Sequence, residues 1–187
     1  MSAEKPAERY APVAVFLHWA VALLIFCSFP VGLYMVDLKL SPWKLRIYSY
    51  HKWIGVTVFL LVLARVAWRT GHAAPPLPAS VPAWERHLAG SMHLLLYLLL
   101  FAIPLSGWLF SSAAGVQTVY FALLPLPDLV PKDKMLADLF RFIHMFLNYS
   151  FAGLVGLHAA AALKHHFLDR DTVLTRMVPG LNPRNLL

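Results

Sequence analysis

Four long apolar stretches, at roughly residues 12–36, 53–68, 88–114 and 140–163, run through this chain of 187 residues. Each is close to the ~20 residues that an α-helix needs to cross the hydrocarbon of a bilayer. In lipid every backbone N–H and C=O must find its partner within the segment, so runs of this length fold as helices. Composition agrees: 59% of the residues are hydrophobic and 13% charged, with a mean hydropathy of +0.63, far from the usage of a soluble domain. The expected fold is all-α, an integral membrane four-helix bundle forming a single domain over 1–187, with connections at 37–52, 69–87 and 115–139. The first stretch is too long for the core of a signal peptide and carries His18 and Trp19, so it is expected to stay as a span.

Basic residues set the expected orientation. With the N-terminus inside, Lys5, Arg9, Arg65, Arg69, Arg86, Lys164, Arg170, Arg176 and Arg184 fall on the cytoplasmic side, against Lys39, Lys44, Arg46, Lys52, Lys132, Lys134 and Arg141 outside. That bias favours both termini in the cytoplasm. The net charge of +7 suits contact with anionic lipid, and no basic soluble surface with exposed aromatics is offered to a nucleic acid. Cys27 is the one cysteine and lies inside the first stretch, so there is neither an internal disulfide nor a C-x-x-C-H haem attachment, and any haem is held non-covalently. The six tryptophans, Trp19, Trp43, Trp53, Trp68, Trp84 and Trp108, cluster at span ends as an interfacial belt. The proline-rich segment Ala74–Pro82 reads as a stiff loop, and Pro104 is expected to kink the third span.

Histidine is where the chemistry concentrates. His18, His51, His93, His144 and His158 lie in or at the edges of spans, where an ionisable group is costly enough to imply function. His144 and His158 are 14 residues apart. At 100° per residue they share one helix face, and at 1.5 Å rise they stand ~21 Å apart along it. That separation suits two ligands at two depths. His51 opens the second span from the side of His144, and His18 opens the first from the side of His158. The pairs are therefore His51 with His144 and His18 with His158, each joining two helices at one level, as two axial ligands on opposite faces of a b-type haem require. Small residues one turn away, Ala14, Ala22, Gly55 and Ala162, strip the same faces. His93, one turn before Tyr97, has no partner in this scheme and is assigned to a propionate, a quinone carbonyl or a neighbouring backbone. His165 and His166 read as interfacial anchors. Zinc needs three or four converging ligands, which two separated levels do not supply. A proton relay needs intramembrane acids, and none of the nine Asp and Glu falls inside an apolar stretch.

The segments RYAPVAVFLHW (9–19), YSYHKWIGVTV (48–58), HLLLYLLLFAIPLSGW (93–108) and LHAAAALKHHFLDRDTVLTRMVP (157–179) resemble the prokaryotic cytochrome b561 family over nearly the whole chain. The resemblance implies a bacterial inner-membrane cytochrome with two haems b on His18, His51, His144 and His158. It also implies superoxide oxidation at the outer face coupled to ubiquinone reduction in the membrane. Met145 stands where members often carry an acid, which leaves ligation intact and removes one candidate for a proton step. Lys39, Lys44, Arg46, Lys52, Lys132 and Lys134, with Arg141, outnumber Asp37, Asp128, Asp133 and Asp138 in the outer connections and are candidates for steering a small anion. Two other roles fit the same residues: a quinol-linked electron carrier, and an electron-transfer or anchor subunit for a periplasmic redox partner.

Overall fold

The computed structural model describes residues 9–78, 80–178 and 180–181. Lys5 and Arg184, counted above on the inner side, lie outside them. Four helices, α1 Pro12–Asp37, α2 Pro42–Gly71, α3 Ala83–Ala113 and α4 Lys134–Phe167, are all long and apolar enough to span a membrane. α2 and α4 exceed the apolar runs that announce them. Ser41 starts α2, its Oγ accepting the Lys44 N–H at 3.2 Å with Pro42 in the first turn. Asp133 starts α4 in the same way, Oδ1 accepting the Leu136 N–H at 2.9 Å. Such caps satisfy donors that the first turn leaves open. Lys44, Arg46, Lys52, Lys134 and Arg141 break the apolar pattern of these turns without breaking the helix. The connections consequently shrink to 38–41, 72–82 and 114–133, and His51 lies within α2 instead of opening it.

Backbone packing follows chain order, α1 on α2, α2 on α3 and most extensively α3 on α4, as short connections between antiparallel helices dictate. α1 and α4 meet through side chains, among them Phe29 and Tyr149 edge to face at 6.1 Å. Val21, Val58 and Val62 form the buried centre, with Leu24, Ile54, Leu100 and Phe101 packed on them. This plug lies between the level of His18 and His158 and that of His51 and His144. The outward faces are bare: Phe16, Leu23 and Phe26 on α1 and Phe142 and Phe146 on α4 are 62–68% exposed. Hydrocarbon is the solvent that such faces require.

Each end of the bundle is closed by a connection. Beside His51, a two-residue ladder pairs β1 Val119–Tyr120 with β2 Leu124–Pro125. Trp53 Nε1 donates to Val119 O at 2.7 Å, Thr57 Oγ1 and Tyr120 Oη stand 2.9 Å apart, and Trp108 Nε1 donates to Pro127 O at 3.0 Å. At the opposite end the chain after α4 folds back, with Trp19 Nε1 donating to Met177 O at 2.8 Å and Arg176 to Pro76 O. Three of the tryptophans expected at the interface thus spend their indole N–H on connection carbonyls. Pro30 and Pro104 lie inside α1 and α3.

Candidate metal centres

His144, on α4, is held by α3. Its Nδ1 is 3.1 Å from Ile103 O and 3.0 Å from Ser106 Oγ. A carbonyl only accepts, so Nδ1 carries the proton and Nε2 keeps its lone pair for a metal. His51, on α2, is held by α1 in a parallel way, with Nδ1 3.2 Å from Ser28 Oγ. A glycine backs each ring. A Cβ on Gly107 would come within 3.0 Å of His144 Cε1, and one on Gly32 within 3.2 Å of His51 Cε1. The two ring centres stand 6.3 Å apart with planes at 90°.

Near the other end, His18 of α1 and His158 of α4 have ring centres 6.4 Å apart. His93 of α3 joins them, 5.4 Å from His158. His93, left without a partner in the pairing by depth, touches His158, because α3 packs along α4. Among the described residues no hydrogen bond holds its ring, and it is exposed where the other four are half-buried.

Two imidazoles gripping one iron from opposite sides have ring centres about 6.2 Å apart, given a metal–nitrogen bond of ~2 Å. The His51–His144 and His18–His158 pairs fit that span. His93 and His158, at 5.4 Å, are too close for it. At the His51–His144 level the glycine backing and the Nδ1 partners also suit haem iron, whereas the His18–His158 level offers its donors and their spacing. A zinc site is disfavoured at both levels, and the group of three metal-capable residues at Glu85, His165 and Asp169 lies elsewhere. There Lys164 Nζ is 2.9 Å from both Glu85 Oε1 and Asp169 Oδ2, so an ammonium already pairs with both acids. His165, expected as an interfacial anchor, joins the same cluster with Nδ1 2.7 Å from Asp171 Oδ2.

The anion-steering candidates gather at the His51 end but are not equivalent, and Lys44, Arg46, Lys52 and Lys134 sit on helical turns where connections were expected. Lys39, Arg46, Lys132 and Lys134 are exposed. Lys44 Nζ donates to Leu38 O and closes the end of α1. Lys52 Nζ donates to Ser111 Oγ at 2.8 Å and Val116 O at 3.0 Å, tying α2 to the connection after α3.

Sequence reasoning missed Ser28, Gly32, Ile103, Ser106 and Gly107, the residues that orient the rings. Their signal was a proline two or three residues before a glycine in two apolar spans, Pro30 and Gly32, Pro104 and Gly107. Gly55, expected to strip the face beside His51, would meet no atom of a neighbouring element within 4 Å if given a Cβ.

Comparison with known proteins gives one consistent result. The family model described as prokaryotic cytochrome b561 matches residues 9–180. The chain is 37% identical over 180 residues to cytochrome b561 homolog 2 of Escherichia coli K12, covering 95% of both chains. It is 25% identical to cytochrome b561 homolog 1 of the same organism, over 92% of this chain and 98% of that one. A Yersinia pestis protein named probable superoxide oxidase CybB is 27% identical over 92% of this chain and 97% of its own.

Proposed function

The chain belongs to the prokaryotic cytochrome b561 family, multi-pass bacterial membrane proteins that bind b-type haem and transfer electrons, and on that footing we propose that it oxidises superoxide at the periplasmic face of the inner membrane and reduces ubiquinone. In this reading both termini are cytoplasmic. His51 and His144 would hold an outer haem b, and His18 and His158 an inner one. The observation that carries it is the pair of matching gaps, 6.3 and 6.4 Å, on two levels of one bundle.

Haem held by these imidazoles would supply a one-electron couple. The protein's own residues do the rest. Ile103 O accepts from His144 Nδ1 and so fixes that proton, and Ser28 and Ser106 lie against the two Nδ1 atoms, which leaves each Nε2 for a metal. The plug of Val21, Val58 and Val62 keeps the space between the levels apolar. At the outer end seven basic residues face four acidic ones, a net +3 that draws a small anion toward the surface over His51 and His144. His93, exposed beside His158, is placed to hydrogen-bond a quinone carbonyl or to pass it a proton.

The test is stopped-flow mixing of oxidised protein with a superoxide pulse, following the haem bands with and without ubiquinone. Reduction near the diffusion limit that slows with salt, and reoxidation on adding quinone, is the expected result. Slow, salt-insensitive reduction overturns the superoxide role. It leaves a quinol-linked carrier serving a periplasmic redox protein.

A further inference from the structure

A small pocket opens at the His158 end of the bundle, between the start of α1, the last turns of α2, Tyr97 of α3 and the returning chain at Met177. Its lining contains Arg65, Arg69 and His72, and neither Asp nor Glu. Arg65 Nε donates to Tyr97 Oη at 2.8 Å, which leaves the two terminal guanidinium nitrogens without a partner among the described residues. Arg69 has no ion pair or side-chain hydrogen bond among them. Trp68 Nε1, on the same turn, is a buried donor with nothing to donate to. Buried donors are rarely left open, and two guanidiniums converging on a space without acids are a site for a planar, doubly accepting anion.

Ala14, in the same lining, lies one helical turn from His18. The pocket therefore lies about one helical turn from His18, on the side toward the end of the bundle. We propose that it is a carboxylate site, in which Arg65 and Arg69 bind the propionates of the haem held by His18 and His158. This rests on the two-haem reading above. Haem b carries two carboxylates on one edge, which favours seating that edge toward the membrane surface against fixed cations. Arg65 does two things: it pins Tyr97 through Nε and presents its outer nitrogens to the anion. His93 then has no part in propionate binding.

The test uses the purified holoprotein and the double substitution Arg65→Gln with Arg69→Gln. Haem content is read from the pyridine haemochrome, the two midpoint potentials from spectroelectrochemistry, and haem transfer to excess apomyoglobin from the Soret band. His51→Ala, which removes the outer haem, identifies the inner one. The double variant is expected to keep its outer potential, to show a lower inner potential, and to lose the inner haem about tenfold faster, as the loss of charge-assisted hydrogen bonds requires. The unchanged outer haem serves as the control for folding. Arg65→Lys with Arg69→Lys restores the potential more than the retention, because an ammonium supplies charge without the fork. Unchanged inner potential and retention, with loss of co-purified anionic phospholipid, overturns the proposal and gives the pocket to a lipid phosphate. A single haem in the wild type that survives both His18→Ala and His158→Ala removes the two-haem reading itself, a different failure with a different signature.

Discussion

His144 meets Gly107 at the closest approach that a glycine makes to a histidine in this bundle, with a Cβ on Gly107 falling 3.0 Å from His144 Cε1. The opposing ring is less tightly backed, since the corresponding distance from Gly32 to His51 is 3.2 Å. Adding a methyl group to a filled site costs about 1–3 kcal/mol and pushes the neighbour aside. Gly107→Ala is therefore expected to turn His144 away from its Ile103 and Ser106 partners and to lower outer haem occupancy, with Gly32→Ala milder. Haem-to-protein ratio and low-temperature EPR of the low-spin signals check the order. Occupancy unchanged from wild type in both variants would show that the rings are not held by this backing.

On the two-haem reading, the ring spacings set His18, His51, His144 and His158 apart from His93. His158→Ala and His18→Ala are each expected to abolish one haem signal and leave the other, and His51→Ala and His144→Ala to abolish the second. His93→Phe is expected to retain both, because its 5.4 Å contact with His158 is an edge contact too short to enclose an iron. Haemochrome quantification of the five variants decides the assignment. If His93→Phe loses a haem while His18→Ala keeps both, the inner pair has to be redrawn as His93 with His158.

The cations at the His51 end divide into those that are tied and those that are exposed. Lys132→Glu and Lys134→Glu alter exposed charge, and are expected to slow haem reduction by superoxide several-fold at low ionic strength, with the difference from wild type shrinking as the Debye length falls to ~3 Å at 1 M salt. Lys52→Met removes the donor to Ser111 and Val116, and is expected to cost about 1–3 kcal/mol of stability. The two classes separate in a salt series of stopped-flow rates set beside thermal unfolding in detergent.

What could be read from the sequence was set by which signals survive in one dimension. Four spans and the depth of His18, His51, His144 and His158 follow from apolar run length and helical rise. The early start of α2 does not, because Lys44, Arg46 and Lys52 mask a helix that Ser41 and Pro42 begin. Nor does the contact of His93 with His158, which depends on how α3 is turned against α4, a matter of packing and not of depth. Ser28 and Ser106 were hidden for a further reason. A serine in a span is compatible with bonding its own helix, as Ser106 also does to Ile103 O at 2.8 Å, so the partner across the interface is visible only in three dimensions.

Gly115 supplies a prediction about the frame and not the cofactor. It ends α3 with φ at +71°, and a Cβ there would stand 2.7 Å from Lys132 Cδ. Its N–H donates to Ser112 O at 2.9 Å and the following Val116 N–H to Ser111 O at 3.0 Å, so this left-handed turn closes the helix. An L-residue in that region costs roughly 1–2 kcal/mol, and the clash with the Lys132 stem adds to it unless the side chain swings clear. Gly115→Ala is expected to lower the unfolding temperature while leaving the haem spectra in place, since among the described residues the turn makes no hydrogen bond to any of the paired histidines. It is also expected to move the Lys132 ammonium, and so to lower the rate with superoxide at low salt more than at high salt. Retained stability together with a lost haem would mean that this connection shapes the outer site directly, and the separation drawn between frame and ligand set would fail at Gly115.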